Sequence, residues 1–532
     1  MPTKRIQNNE ARVPFLSDKM SYITGLDPLG LQNPSSRAYT YLLNGLNVVS
    51  RRIRNYSFYC WLLKEYASLV ESRDPNEQRE FVRKAEYIVA LSSVRNGLSG
   101  VNGSAFATQK LDQDNDPLIL SEGIYNENRG TDKTYWQFSF GIFGQYYLGS
   151  MRQIRIIEEV ADEERNPLGF YRATRSSDKY AISGEDLAEA FSQNIESEKA
   201  ELFLACIESD TVSRDQLESL FPDFNMFQIP QGTLEEKLLT DLIIGPDDPQ
   251  LIEEESISFN RRDTFLHVLR YSATHADQLQ EHAFTRYAYF NKGRFEGDFD
   301  QTLFGWFYYQ FNEYYRLLCT SCLDGFLRKL ESVNGWSPLF ELVQENVMGI
   351  LKELSSELSI SGDESMDTLL ELQLSSEQDL CDQMLELNDW KSMALSIQLL
   401  VKLYQENSEY LLELSEYLTT RGIQSDEDVL TFFSIPFLKY REMSISEFLK
   451  EFLLHQVIYR HQHVAYRKMG STQSTQKFII EDNYIRHIGN FPPDYTASRV
   501  GTVIGFIKDL HLLDDTNRPT DKSQELLNSM TS

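Results

Sequence analysis

Residues that interrupt helices are scarce in this chain. It holds 27 glycines and 16 prolines, about 8% of 532 residues, where an average protein carries roughly 12%. Leucine, glutamate and glutamine dominate the middle third, and few segments show the two-residue alternation of a half-buried strand, so the expected class is mainly α. An apolar fraction of 41% with 12% aromatics supplies enough buried surface to offset the entropy of ordering. At this length the chain should divide into three or four folding units, giving a multi-domain helical protein.

Charge and cysteine content narrow the class further. No run approaches the roughly 20 apolar residues of a membrane helix, and the opening MPTKRIQNNEARVPF has no signal-peptide core, so a cytoplasmic protein with no membrane contact is expected. Five cysteines (Cys60, Cys206, Cys319, Cys322, Cys381) are too few for a disulfide framework and read as reduced thiols. The net charge of −29 disfavours the whole surface as a non-specific nucleic-acid binder. The charge is also uneven. Residues 341–430 carry 20 Asp/Glu against four Lys/Arg, whereas residues 1–55 carry eight Lys/Arg against three Asp/Glu, a polarity that fits partner docking or a reserved basic face.

Five regions follow from the pattern. Residues 1–150 read as an aromatic-rich helical domain, in which Arg51, Arg52 and Arg54 precede a helix bearing Phe58, Tyr59, Trp61, Leu62 and Tyr66. Arginines beside aromatics can grip phosphates or stack on bases, or their stems can pack at a helix entry while the rings fill the core. Residues 151–250 form a short-helix region, with N-cap signals at Ser183/Asp186, Ser213/Gln216 and Thr233/Glu236. Residues 251–335 read as a helical core domain and 336–440 as an acidic region of packed helices, with SISGDES at 359–365 as the expected flexible break.

Residues 441–532 change character. A capping box at Ser444/Glu447 opens a basic helix, and the turn NFPPDY leads to TASRVGTVIGFIKDLHLL. Helix, turn, apolar-striped helix and a polar hairpin-length tail together resemble a winged helix-turn-helix. In that reading Thr496, Ser498, Arg499 and Thr502 face outward for DNA or a partner, and Arg460, Arg467, Lys468, Lys477 and Arg486 make the surroundings basic.

A search for catalytic signatures is largely negative. The phosphate loop, the dinucleotide fingerprint, the nucleophile elbow and the zinc helix H-E-x-x-H are missing, and no cofactor is called for. Cys319 and Cys322 form a lone C-x-x-C on an apolar helix, which reads as buried thiols. Asp112, Asp114 and Asp116 begin like a calcium loop, but Pro117 and Gly123 stand where glycine and a bidentate glutamate belong. Glu235-Glu236-Lys237 heads a helix rather than a nuclease strand, and the histidines 455, 461 and 463 lack companion ligands. One catalytic alternative stands: Arg262 and His267 match the R-x4-H spacing of HEPN ribonucleases, repeated by Arg270 and His275.

Three stretches, YTYLLNGLNVVSRRIRNYSFYCWLL, FGWFYYQFNEYYRLL and SRVGTVIGFIKDLHLLDD, resemble uncharacterised prokaryotic proteins of multi-gene antiphage defence islands. The resemblance covers about a fifth of the chain and carries over no functional residues. It implies a non-catalytic scaffold, sensor or regulatory subunit working beside an ATPase or nuclease encoded nearby.

Overall fold

A computed structural model of the chain describes residues 21–529, except 24, 26, 71, 99, 125–133, 177–181, 246–258, 293–297 and 471–472. Helix makes up 63% and strand 7%, so the chain is mainly α, as the scarcity of glycine and proline demands. The backbone separates into two compact units, each assembled from distant parts of the sequence. The larger holds residues 38–307 and 497–532, and the smaller residues 1–37 and 308–496. The five regions expected from composition therefore do not coincide with these units. Composition shifts along the chain reveal only continuous domains, and these are discontinuous.

The larger unit is built around α1 (Arg54–Leu69) and α2 (Pro75–Arg95). Asp74 caps α2 by accepting from the Asn76 amide, and Pro75 occupies its first turn, where no N–H is needed. The hairpin of β1 (Ile157–Ala161) and β2 (Pro167–Ala173) lies beside α1, which packs most extensively on α3 (Gly184–Ser192). At Gly184 a Cβ would stand 2.0 Å from the Ile156 carbonyl oxygen, so only glycine lets α3 start this close to the hairpin. The core rings of α1 are buried: Trp61 lies 5.6 Å from Phe191 and from Phe224, and Phe224 stacks on Phe203 at 4.1 Å. Such side chains each contribute about 1.5–3 kcal/mol by leaving water. α4 (Leu234–Ile244) follows, capped by Thr233 and ended at Gly245, and packs against α5 (Phe259–His275). The N-caps foreseen at Ser183, Ser213 and Thr233 all form.

The 35-residue helix α6 (Asp298–Ser332) contains the boundary between the units, at 307/308. In the smaller unit β3 (Trp336–Pro338) leads to α7 (Leu339–Leu358), which packs on α8 (Trp390–Asn407) and α9 (Ile445–Phe452). The acidic region forms packed helices, among them Glu377–Leu385, α8 and Leu411–Thr420, with Asp389 capping α8 and separating it from the helix before. The expected flexible break at 359–365 is instead tied down: Ile445 and Ser446 donate their amides to the carbonyls of Glu364 and Gly362, and Met366 donates to Met443. Polar composition there supplies turn geometry rather than mobility. β4 (Phe478–Glu481) and β5 (Tyr484–His487) form an antiparallel sheet in the order β3-β5-β4.

The C-terminal segment returns to the larger unit with α10 (Val500–Asp509), buried through Val500, Val503, Phe506 and Ile507. Among the described residues, the only pairing after α10 is a single bridge between Leu513 and Pro519, followed by a helix at Asp521–Ser529. The hairpin β4–β5 precedes α10 and belongs to the smaller unit.

Candidate functional site

A cavity of about 840 Å³ opens in the larger unit between α1, α2, the segment around Tyr147, and α10. Sites that enclose drug-sized ligands span roughly 300–1,000 Å³. Its inner wall consists of side chains withdrawn from solvent, notably Tyr59, Glu86, Ser93 and Tyr147. Its rim carries Arg51, Arg52, Arg499 and Lys508, with Glu281 as the rim carboxylate.

Glu86 is fixed by the chain that crosses it. Its carboxylate accepts from the Ile142 amide at 2.9 Å, the Phe143 amide at 2.6 Å and the Tyr59 hydroxyl at 2.9 Å. Gly141, with φ +62°, makes this approach possible: a Cβ there would sit 2.2 Å from Glu86 Oε2. Burial pushes the carboxyl up to about 7, against the pull of those donors and of the Arg83 charge. Arg83 in turn donates to the carbonyls of Gly123, Trp136 and Phe138, holding the loop that carries Tyr135. Two turns along α2, the Ser93 hydroxyl is buried with no hydrogen-bond partner among the described residues. A buried, unsatisfied hydroxyl costs about 1–3 kcal/mol.

The rim is electropositive by construction. Arg52 pairs with Asp509 at 2.6 Å and lies 4.4 Å from the centre of the Phe227 ring. Asp509, buried and pushed up to about 6, also accepts from the Ile53 amide and so anchors the start of α1. Arg499 takes a left-handed conformation (φ +68°) immediately before α10 and sits over Tyr39 at 4.5 Å. Burial holds its guanidinium below the usual arginine range. Arg51 and Lys508 are exposed, and neither side chain has a hydrogen-bond or ion-pair partner among the described residues. Glu281 is occupied: it accepts from the amide and hydroxyl of Ser498.

Cysteine and histidine do not line the cavity. Ser93 and Glu86 are seven residues apart on one helix, a rise of about 10 Å, whereas a nucleophile and its base must lie about 3 Å apart. No cluster of three or more metal-ligating side chains occurs among the described residues.

No family model, curated protein or solved structure matches this chain. Arg51, Arg52, Arg499 and Thr502, drawn from segments some 450 positions apart, meet at this one cavity. Arg54 does not reach it. It is buried, pairs with Glu235 at 3.3 Å and donates to the Asn225 carbonyl. The outward-facing recognition helix is corrected: Thr496 and Ser498 precede α10, both are buried, and Thr502 is buried with its hydroxyl donating to the Asn47 carbonyl. The apolar stripe fixes the inward face of α10, and the small polar residues satisfy backbone groups beside it.

The basic cluster of the smaller unit is spent internally. Arg460 donates to the carbonyls of Leu29 and Glu427, Arg467 pairs with Glu427 at 3.2 Å, and Lys468 donates to the Asp27 carbonyl. Arg486 faces Glu481 at 3.8 Å. His461 is locked neutral, since Nδ1 donates to the Pro28 carbonyl while Nε2 accepts from the Lys477 amide, and burial holds it down at about 4. On α5, Arg262 and His267 are five residues apart, which turns them about 140° from one another around the helix; His267 is buried, and neither lines the cavity. Glu235 and Glu236 serve as partners to Arg54 and to His511 and Lys522. Cys319 and Cys322 are buried, with burial raising both thiols, Cys322 to about 12.

Glu86, Ser93, Tyr147, Glu281 and Lys508 were not singled out by the sequence. Only Lys508 left a trace there, as the cation nine positions beyond Arg499, on α10.

Proposed function

We propose that this chain is a non-catalytic sensor or regulatory subunit of a prokaryotic antiphage-defence-type complex, and that the cation-rimmed cavity is its control point. The observation that supports this is the convergence on one cavity of Arg51, Arg499 and Lys508, whose side chains have no carboxylate partner among the described residues. In a chain of net charge −29, uncompensated cations around a concave site favour an anionic ligand. The C-terminal segment then acts as a wall of that site, with the ATPase or nuclease activity residing in a partner encoded nearby. The rim, rather than a groove-reading helix, is where DNA or a partner's acidic group would make contact. The test is to tag the chain in its native operon and analyse it by size-exclusion chromatography with mass spectrometry. Co-elution with an ATPase or nuclease neighbour is expected; a lone chain that degrades nucleic acid by itself would refute the proposal.

A further inference from the structure

We infer that the cavity takes a phosphorylated nucleoside, with phosphate on Arg51, Arg499 and Lys508 and the base against the aromatic wall at Phe227; this deepens the sensor reading and rests on it. Four observations converge. Guanidinium groups present paired donors that match phosphate oxygens, and an ammonium adds a point charge; Arg51, Arg499 and Lys508 supply both kinds at one rim. Phe227 is half-exposed, and Arg52 lies over its ring at 4.4 Å, so a base stacking on Phe227 would extend an existing cation–aromatic stack.

The buried Ser93 hydroxyl is the third observation. It lines the cavity, is 1% exposed and has no partner among the described residues, so a ligand hydroxyl or ring nitrogen would satisfy it. Glu86, held near neutrality two turns away on the same wall, can offer either a donor or an acceptor to a ribose or base edge. The fourth is size: about 840 Å³ is far more than a bare phosphate needs, and its inner wall is largely aromatic and aliphatic. A rim of cations outside an aromatic interior sorts a ligand end to end, charge outward and ring inward.

Isothermal titration of the full chain tests this, using ATP, GTP, CTP, UTP and their monophosphates, with inorganic phosphate and adenosine as separating arms. At least one nucleotide should bind, inorganic phosphate and the nucleoside each at least about tenfold more weakly. Arg51→Ala and Lys508→Ala remove exposed side chains without internal partners, so both should fold normally and each lose about tenfold in affinity. Gly505→Leu projects into the cavity from a helical position whose nearest neighbour to an added Cβ is the Arg51 carbonyl oxygen at 3.5 Å. It should abolish binding while the unliganded chain melts within about 2 °C of wild type. The inference is overturned if no nucleotide binds, if inorganic phosphate binds as well as any nucleotide, or if the three substitutions leave affinity unchanged. A chain that binds nucleotide but elutes without neighbours overturns the complex and keeps the site; the reverse overturns the site and keeps the complex.

Discussion

Replacing Glu86 by glutamine isolates the electrostatic character of the cavity wall. In the folded chain burial raises this carboxyl from 4.5 to about 7. Between those values the native state holds a proton that the unfolded state releases, so the Glu86 contribution weakens the fold as pH rises through that window. Above it the loss amounts to about 3 kcal/mol. Glutamine does not titrate, but it replaces one acceptor oxygen by a donor, leaving the Ile142 or the Phe143 amide unsatisfied at about 1–3 kcal/mol. Glu86→Gln should therefore be less stable than wild type at pH 5 and equal or more stable at pH 8, a relative change of about 3 kcal/mol. The groups that set this balance are Tyr59 on α1, Arg83 on α2 and the two amides after Gly141. Urea unfolding monitored by tryptophan fluorescence at pH 5, 6, 7 and 8 measures it. A stability difference constant to within about 0.5 kcal/mol across that range would refute the desolvation argument.

Gly141→Ala forces a side chain into both a left-handed conformation and the Glu86 carboxylate; a loss of about 2 kcal/mol or more is expected by the same unfolding assay. Arg54→Ala strands Glu235 in the core and should cost about 3–5 kcal/mol, much of it recovered in the double variant Arg54→Met, Glu235→Leu. A double variant no more stable than Arg54→Ala would contradict that account. Arg262→Ala and His267→Ala should leave ribonuclease activity at the wild-type background in a labelled-RNA assay, since the two residues point to different sides of α5; loss of cleavage in either would reinstate the catalytic alternative. Nucleotide affinity should fall as pH rises from 6 to 8, because Glu86 becomes an anion on the wall of a site built for anions; affinity that rises instead would contradict the geometry.

How far the sequence could be read follows the range of its signals. Caps act over three or four residues, and Ser183, Ser213, Thr233 and Ser444 each cap a helix as their spacing indicates. The rings of α1 fill the core because helical spacing places them on buried faces. The two units were not legible, since both are closed by contacts between residues hundreds of positions apart, such as Asn312 donating to the Leu31 carbonyl and Arg52 pairing with Asp509. The same limit governed the site. Local composition marked Arg51, Arg52 and Arg499 as basic groups near aromatic or apolar helices. It could not distinguish Arg54, whose partner Glu235 lies on another helix, from Arg51, which has none among the described residues. Glu86 carried no sequence signal at all, because its environment is made by amides 56 and 57 positions away.

The most direct test is native mass spectrometry of the tagged chain co-expressed with its operon neighbours, comparing wild type with the Arg51→Ala, Lys508→Ala double variant. The account predicts a complex with a neighbouring gene product in both, carrying a bound small-molecule mass matching a phosphorylated nucleoside only in the wild type. A solitary chain with no bound small molecule in either sample would contradict it.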